Sequence, residues 1–134
     1  MNVKLVKWSL SAVLVLAASP ALAASPALAA APPACKSLPK DVAKMIQSFD
    51  SCARTENPTV ACEKLKLNAR VYENDKGLLP PLGPIGPKYW RAAPALLGSP
   101  QGLVYLVQES AKGRPITQRY YTGDSFGAFC TIKK

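Results

Sequence analysis

Four cysteines and an excess of basic residues carry most of the chemistry open to this chain, because histidine is absent altogether. Without an imidazole the chain cannot build a Ser-His pair, a Cys-His pair or a histidine-ligated metal site, the commonest catalytic arrangements. Lys and Arg number 17 against 8 Asp and Glu, a formal net charge of +9. This composition favours an acidic or polyanionic partner, and we expect neither a metal nor an organic cofactor.

The cysteines are spaced for disulfides and not for metal binding. No two of them stand closer than ten residues, whereas an all-cysteine zinc site usually contains close pairs. A reactive thiol would need a neighbouring histidine or a helix N-terminus. We therefore expect two disulfides formed in an oxidising compartment. Three pairings are possible, and we favour a local Cys52–Cys62 loop with Cys35–Cys130 joining the two ends.

The first thirty residues (1–30) have the features of a signal peptide. Two lysines precede an apolar run over 8–18, which is shorter than the ~20 residues that span a bilayer. A tandem ASPALA repeat over 18–29 then supplies two small-residue cleavage sequences. We predict cleavage between Ala23 and Ala31. The product is one secreted or periplasmic domain over 31–134, with 15 basic and 8 acidic residues and a net charge of +7.

An amphipathic helix is predicted over 40–53. Pro39 and Asp41 stand at its start, and apolar residues then recur at helical spacing along one face. These residues are Val42, Met45, Ile46, Phe49 and Cys52. Such a stripe is typical of a face that packs into a core. Residues 54–69 fit no single pattern, and a short second helix over 59–66 is an alternative for part of them.

Short extended segments follow the helical region. The first is 70–72, and the proline-rich loop after it, 79–87, cannot join a central ladder. Leu103–Val107 is apolar throughout, which is typical of a strand covered on both faces. The later extended segments are 88–93, 103–108, 116–121 and 128–132, with a turn at 111–114. One amphipathic helix packed on an antiparallel sheet predicts an α+β domain.

Two segments resemble the guanyl-specific microbial endoribonucleases, the small secreted barnase class. The guanine-binding loop of that family is similar to RVYENDKGLLP at 70–80. The family's closing pattern, Tyr-Tyr-Thr-x-Asp-His-Tyr-x-x-Phe, is similar to YYTGDSFGAF at 120–129. The order and spacing of these motifs cover most of 35–130. The resemblance implies a barnase-like fold, and Cys35 matches members that carry a terminal disulfide.

The resemblance also implies a chemistry, the cleavage of single-stranded RNA by transesterification. In the family a Glu accepts the 2′-hydroxyl proton, a His protonates the leaving oxygen, and an Arg holds the phosphate. The Glu, Arg and His positions are occupied here by Ala92, Gly102 and Ser125. The guanine-binding loop retains Asn74, whereas Lys76 replaces the Glu that grips guanine.

These substitutions predict very weak cleavage or none, since each positioned acid or base contributes ~10²–10⁴ in rate. An active ribonuclease with a rebuilt site is one alternative, in which Glu73, Asp75 or Asp124 acts as the base. Restoring the lost groups through Ala92→Glu and Ser125→His is expected to raise cleavage. The other alternative is a protein-binding module, such as a decoy for an acidic inhibitor or an envelope partner.

The predicted RNA-binding residues combine cations for phosphates with aromatic rings for stacking. They are Tyr72, Asn74, Lys76, Arg91, Arg119 and Phe126. The expected partner is single-stranded RNA or another polyanion. We expect a monomer that has no contact with a membrane once the signal peptide has been removed.

Overall fold

A computed structural model describes residues 30–133, so the signal peptide prediction lies outside the described residues apart from its last position. This part of the chain forms two helices and one five-stranded antiparallel sheet, whose strands lie in chain order. The elements are α1 (Lys40–Cys52), α2 (Pro58–Glu63), β1 (Leu67–Val71), β2 (Lys88–Pro94), β3 (Gly102–Val107), β4 (Ile116–Thr122) and β5 (Cys130–Thr131). The predicted α+β class with an antiparallel sheet is confirmed. Neither of these two helices is long and apolar enough to cross a bilayer.

Helix α1 covers one face of the sheet, which we call the helix face. Its predicted apolar stripe is buried there, and the ring of Phe49 lies 4.3 Å from the ring of Tyr105 on β3. No side chain caps its N-terminus, but Asp41 in the first turn carries the charge that a helix N-terminus favours. The helix begins and ends within one residue of the predicted 40–53.

Helix α2 lies in the stretch for which the sequence offers no single pattern. Its first turn contains Pro58, a residue suited to that position because it has no N–H to leave unpaired. The side-chain oxygen of Asn57 caps the helix by accepting a hydrogen bond from the N–H of Val60 at 3.3 Å. Strand β1 follows at once and begins earlier than predicted, because Leu67 and Ala69 are buried on the helix face.

Both predicted disulfides are present in the favoured pairing, Cys52–Cys62 and Cys35–Cys130. The first joins α1 to α2. The second holds the segment 33–35 along β5, where the N–H of Cys35 donates to the carbonyl of Thr131 at 2.9 Å. The N–H of Thr131 in turn donates to the carbonyl of Pro33 at 2.7 Å. The outer edge of the short strand β5 is therefore covered and closed to a further strand.

Strand β3 is the centre of the sheet and is covered on both faces, as its apolar sequence predicts. Its side chains alternate between two clusters. Leu103, Tyr105 and Val107 belong to the large core under α1. Val104 and the half-buried Leu106 belong to a smaller core on the opposite side, which we call the cleft face.

Candidate nucleic-acid interface

An open cleft of about 400 Å³ lies on the cleft face. Three parts of the chain line it: residues 71–76 in the loop after β1, Arg91 on β2, and Ser125 with Phe126 in the turn after β4. The two segments that resemble the ribonuclease motifs, 70–80 and 120–129, therefore meet at one place although they are far apart in the chain.

Strand register aims two arginines at the cleft face. Arg70 on β1 lies opposite Arg91 on β2, and Arg91 lies opposite Val104 on β3. Since Val104 belongs to the core of the cleft face, its cross-strand neighbours share that face. Directly opposed residues have Cβ atoms about 5 Å apart. Among residues 30–133 no carboxylate lies within ion-pair distance of either guanidinium. Arg91 lines the cleft itself, whereas Arg70 lines a neighbouring depression that also contains Glu63.

Aromatic rings surround the guanidinium of Arg91. Its central carbon lies 5.3 Å from the centroid of the Phe126 ring, a cation–π contact. The ring of Tyr72 stacks against Phe126 at 6.1 Å between centroids. Burial raises the pKa of the Tyr72 hydroxyl, Asp75 raises it further, and Arg91 lowers it by less, so that it exceeds its ordinary value of 10.0. Tyr72 therefore stays protonated near neutral pH.

A small core fixes these rings from below. Leu79, Tyr89 and Tyr120 are buried in it, and the Tyr89 hydroxyl donates a hydrogen bond to the carbonyl of Pro80 at 2.7 Å. Burial raises the pKa of the Tyr89 hydroxyl, and its interaction with Tyr120 contributes to the rise. The ring of Tyr72 packs edge-on against Tyr89 at 6.4 Å. The floor of the cleft is therefore a packed aromatic layer.

Asn74 shapes the loop that forms one wall of the cleft. Its backbone is in the left-handed conformation with φ 55°, which asparagine tolerates better than most residues. Its Nδ2 donates to the carbonyl of Leu79 at 2.8 Å, and its Oδ1 accepts from the N–H of Leu79 at 3.1 Å. The predicted RNA-binding amide is thus engaged within the loop. Asp75 and Lys76 remain exposed at the rim.

The turn after β4 forms the other wall. The hydroxyl of Thr122 donates to Oδ1 of Asp124 at 2.8 Å, and the same oxygen accepts from the N–H of Ala128 at 2.9 Å. These bonds hold Ser125 and Phe126 in left-handed conformations, with φ of 58° and 66°. The hydrogen bond from Thr122 is the main cause that lowers the pKa of Asp124 below 3.8. Asp124, one of the alternative bases, is therefore engaged within the turn.

Gly102, where the resemblance places the family's phosphate-binding Arg, lies under the ring of Phe126. A Cβ atom on this glycine would stand 2.4 Å from Cζ of Phe126, well inside contact distance. A side chain at position 102 can therefore enter only if the ring moves aside. The phenyl ring takes the space that an arginine would need.

Ala92, the expected base position, does not line the cleft. It is fully buried on the helix face. Strand residues alternate between faces, so its neighbour Arg91 is the residue that points into the cleft. The alignment through Tyr89-Trp90-Arg91 is therefore one residue out of phase with the strand. The expectation that the base is missing is unchanged, because Arg91 is not a proton acceptor.

Arg119 lies away from the cleft, in contrast to its predicted role in RNA binding. It is paired in register with Tyr105 and shares the helix face with it. Its Nε donates to Oδ1 of Asp50 on α1 at 3.0 Å, and its Nη2 donates to Oδ2 at 3.2 Å. With 8% of its surface exposed, Arg119 joins α1 to β4 and is not available to a ligand in the cleft.

Arg70 is the cleft-face residue that sequence reasoning missed. It precedes Tyr72 by two positions, and this spacing puts both residues on the same face of an extended chain. That signal is readable from the sequence. Of the six predicted binding residues, Arg119 alone lies outside the cleft, and five line it: Tyr72, Asn74, Lys76, Arg91 and Phe126.

A second groove of about 590 Å³ adjoins the cleft, and the two share residues 71–74 as lining residues. Its other wall is the proline-rich loop that precedes β2. Lys88 stands at one end, but its ammonium pairs with Glu109 at 3.5 Å. An extended ligand could therefore cross the loop and occupy both depressions.

No family model, no curated protein and no solved structure matches this chain. No family is therefore shown for it, and its function has to be argued from the cleft.

Proposed function

We propose that this chain is an exported protein that binds single-stranded RNA in the cleft and cleaves it very slowly or not at all. The observation that carries the proposal is the opposed pair Arg70 and Arg91 on the cleft face, for which residues 30–133 supply no carboxylate partner. Two cationic side chains on neighbouring strands, neither of them paired with a carboxylate among these residues, attract an anion to this face of the sheet. A phosphate is suited to that place because guanidinium groups bind phosphate oxygens in pairs.

The aromatic rings beside the arginines favour a nucleic acid over a simple anion. Tyr72 and Phe126 line the same cleft as Arg91. Bases stack on such rings without regard to sequence, at about 1–3 kcal/mol per base. Because the Tyr72 hydroxyl stays protonated, it can also donate a hydrogen bond to the ligand. A phosphate clamp next to a stacking surface is typical of single-strand binding.

The titratable groups around the cleft are poorly matched to RNA cleavage near neutral pH. The lining carboxylates are Glu73 and Asp75, and both are exposed at the rim. The candidate proton donors are the ammonium of Lys76 and the phenol of Tyr72. Burial raises the pKa of the Tyr72 phenol above its ordinary value of 10.0, far from the pH at which a general acid would have to act. This chemistry supports binding without efficient cleavage.

The resemblance supports the same proposal from a second direction. The segments similar to the ribonuclease substrate loop and closing pattern both border the cleft. The position that faces the cleft from β2 holds Arg91, a cation that can grip a phosphate but cannot act as a base. We therefore interpret the chain as a ribonuclease-like frame in which a binding cation has replaced a catalytic carboxylate.

The test is a titration of a fluorescent single-stranded oligoribonucleotide by anisotropy. We expect Arg91→Ala and Arg70→Ala each to weaken binding about tenfold, the loss expected for one charge-assisted hydrogen bond. The matched control is Arg54→Ala, which removes the same charge from an exposed site just after α1 and should change affinity less than about twofold. The plot of the logarithm of the binding constant against the logarithm of the salt concentration should become less steep by about 0.7 for each phosphate contact removed.

Three outcomes would contradict the proposal. Equal losses in Arg54→Ala and Arg91→Ala would mean that only the overall charge matters. Short products accumulating rapidly from the unaltered protein would identify an active ribonuclease with a rebuilt site. Saturable binding to a single protein, without any salt-sensitive RNA binding, would identify a protein-binding module.

A further inference from the structure

The turn that joins β2 to β3 carries two leucines that no described part of the chain covers. Leu96 is 78% exposed and Leu97 is fully exposed. The following Gly98 has a φ of 82°, a left-handed conformation that turns the chain sharply. Large apolar side chains at the end of a projecting turn are costly in water, and such patches are typical of interaction surfaces.

This turn is anchored to the body of the domain. At its start, the N–H of Ala95 donates to the carbonyl of Lys66 at 3.0 Å. At its end, the carbonyl of Pro100 accepts from the N–H of Ser125 at 2.8 Å. The leucines therefore project from a fixed place, beside the bend that connects α2 to β1.

One exposed lysine shares a groove with these leucines, and three more are close to it in the chain. Leu96, the partly exposed Leu65 and Lys44 line one shallow groove. Lys64 and Lys66 flank Leu65 in the chain, and Lys40 precedes Lys44 by one helical turn, and all three are exposed. Two exposed acidic residues are close, Asp41 and Glu63. The four lysines exceed them in charge by two and form no ion pairs among residues 30–133.

We propose that this surface, formed by Leu65, Leu96 and Leu97 with the surrounding lysines, docks on an anionic lipid membrane. The leucines at a projecting tip can enter the headgroup boundary, which takes apolar side chains to a depth of about 5–10 Å. The lysines then lie at the level of the anionic headgroups.

This docking surface shares no lining residue with the cleft, although the end of its turn is hydrogen-bonded to Ser125 in the cleft wall. It differs from the expectation of no membrane contact, because it is peripheral and needs no spanning segment. Lipid binding would hold the domain against a membrane through the turn between β2 and β3. The proline-rich loop, at the other end of β2, would point away from the lipid.

The test is co-sedimentation of the oxidised, exported chain, after removal of the signal peptide, with vesicles of phosphatidylglycerol and phosphatidylcholine, or of phosphatidylcholine alone. We expect Leu96→Ser with Leu97→Ser to weaken binding to the anionic vesicles about tenfold or more. The matched control is Ile85→Ser, since Ile85 is 91% exposed in the proline-rich loop at the other end of β2. This control should change binding less than about twofold, and added salt should weaken binding of the unaltered chain.

A second measurement places the turn relative to the bilayer. Leu97→Trp should show a blue shift in its added emission with anionic vesicles, and brominated acyl chains should quench it, whereas Ile85→Trp should show neither change. All variants are compared as the processed chain, because the basic and apolar signal segment would itself bind anionic vesicles. The proposal is overturned if the double serine variant binds anionic vesicles as tightly as the parent, or if Leu97→Trp is not quenched. It is also overturned if neutral vesicles bind equally well, or if the leucines instead mediate self-association in sedimentation equilibrium.

Discussion

Arg91 and Ala92 are neighbours in the chain but lie on opposite faces of β2, one in the cleft and one under α1. A carboxylate at position 92 would be buried without a partner. We therefore expect Ala92→Glu to lower the free energy of unfolding by about 3–5 kcal/mol. Arg91→Glu leaves its carboxylate at the open cleft and loses the cation–π contact with Phe126, so it should cost only about 1 kcal/mol. Urea unfolding of the two variants measures the difference, and equal stabilities would contradict the assigned faces.

The sequence does not reveal which residues of β2 face the cleft and which face α1. Alternation identifies the buried face of a strand only when the other face is polar. Here Tyr89, Trp90 and Ala92 are apolar although they fall on both faces, because a second small core lies under the cleft. A motif match through these residues can therefore slip by one position, as it does at Ala92. Restoring a carboxylate in the cleft calls for Arg91→Glu with Ser125→His.

Gly102 lies directly under the ring of Phe126, with no room between them for a side chain. We expect Gly102→Ala to destabilise the protein by about 1–3 kcal/mol, because the new methyl group would overlap the ring of Phe126. In the Phe126→Ala background the same substitution should cost much less, since the overlapping atoms are gone. A double-mutant cycle by urea unfolding gives this coupling. Additive effects would contradict the contact.

Among the elements, the turn after β4 depends on a single carboxylate. The pKa of Asp124 is held below 3.8, mainly by the hydrogen bond from Thr122. A carboxyl with a lower pKa in the folded than in the unfolded chain stabilises the fold above its unfolded value, and this stability is lost as the pH falls through the folded value. We expect Asp124→Asn to be less stable than the parent near neutrality, with a difference that shrinks below about pH 4.

The measurement is urea unfolding at a series of pH values from about 7 to about 2. The control is Glu56→Gln, which removes one exposed carboxylate from the bend between α1 and α2. A difference between parent and Asp124→Asn that stays constant across this range would show that the carboxylate charge does not stabilise the turn.

The sequence predicts well those elements in which the apolar residues form a clear pattern. The stripe of α1 and the apolar run of β3 match the structure almost to the residue, because both are dictated by burial against a core. Helix α2 has only six residues, fewer than the roughly 11–18 over which a period can be counted. Its start depends on the Asn57 cap, and its position depends on the disulfide to α1.

At the scale of the whole molecule, the two disulfides constrain the chain to different extents. Cys35–Cys130 closes a separation of 95 residues, whereas Cys52–Cys62 closes one of 10. Chain entropy predicts about 4–5 kcal/mol for the long loop and about 3 kcal/mol for the short one. We expect the pair Cys35→Ala and Cys130→Ala to destabilise more than Cys52→Ala and Cys62→Ala in guanidinium unfolding. Alkylation of the unreduced parent should label no cysteine, and a larger loss from the local pair would contradict the entropic ranking.

The disulfide that holds the segment 33–35 along β5 can form only after nearly the whole domain has been synthesised. A chain is synthesised from its N-terminus, so Cys35 emerges long before Cys130, which follows 95 residues later. In that interval Cys52 and Cys62 become available first, and a thiol at position 35 can react with either of them. If oxidation begins early, the last native crosslink must then form by exchange out of a wrong pair. Until it does, only backbone hydrogen bonds hold the segment 33–35 along β5, so the two ends of the domain are fixed to each other in the final step of maturation.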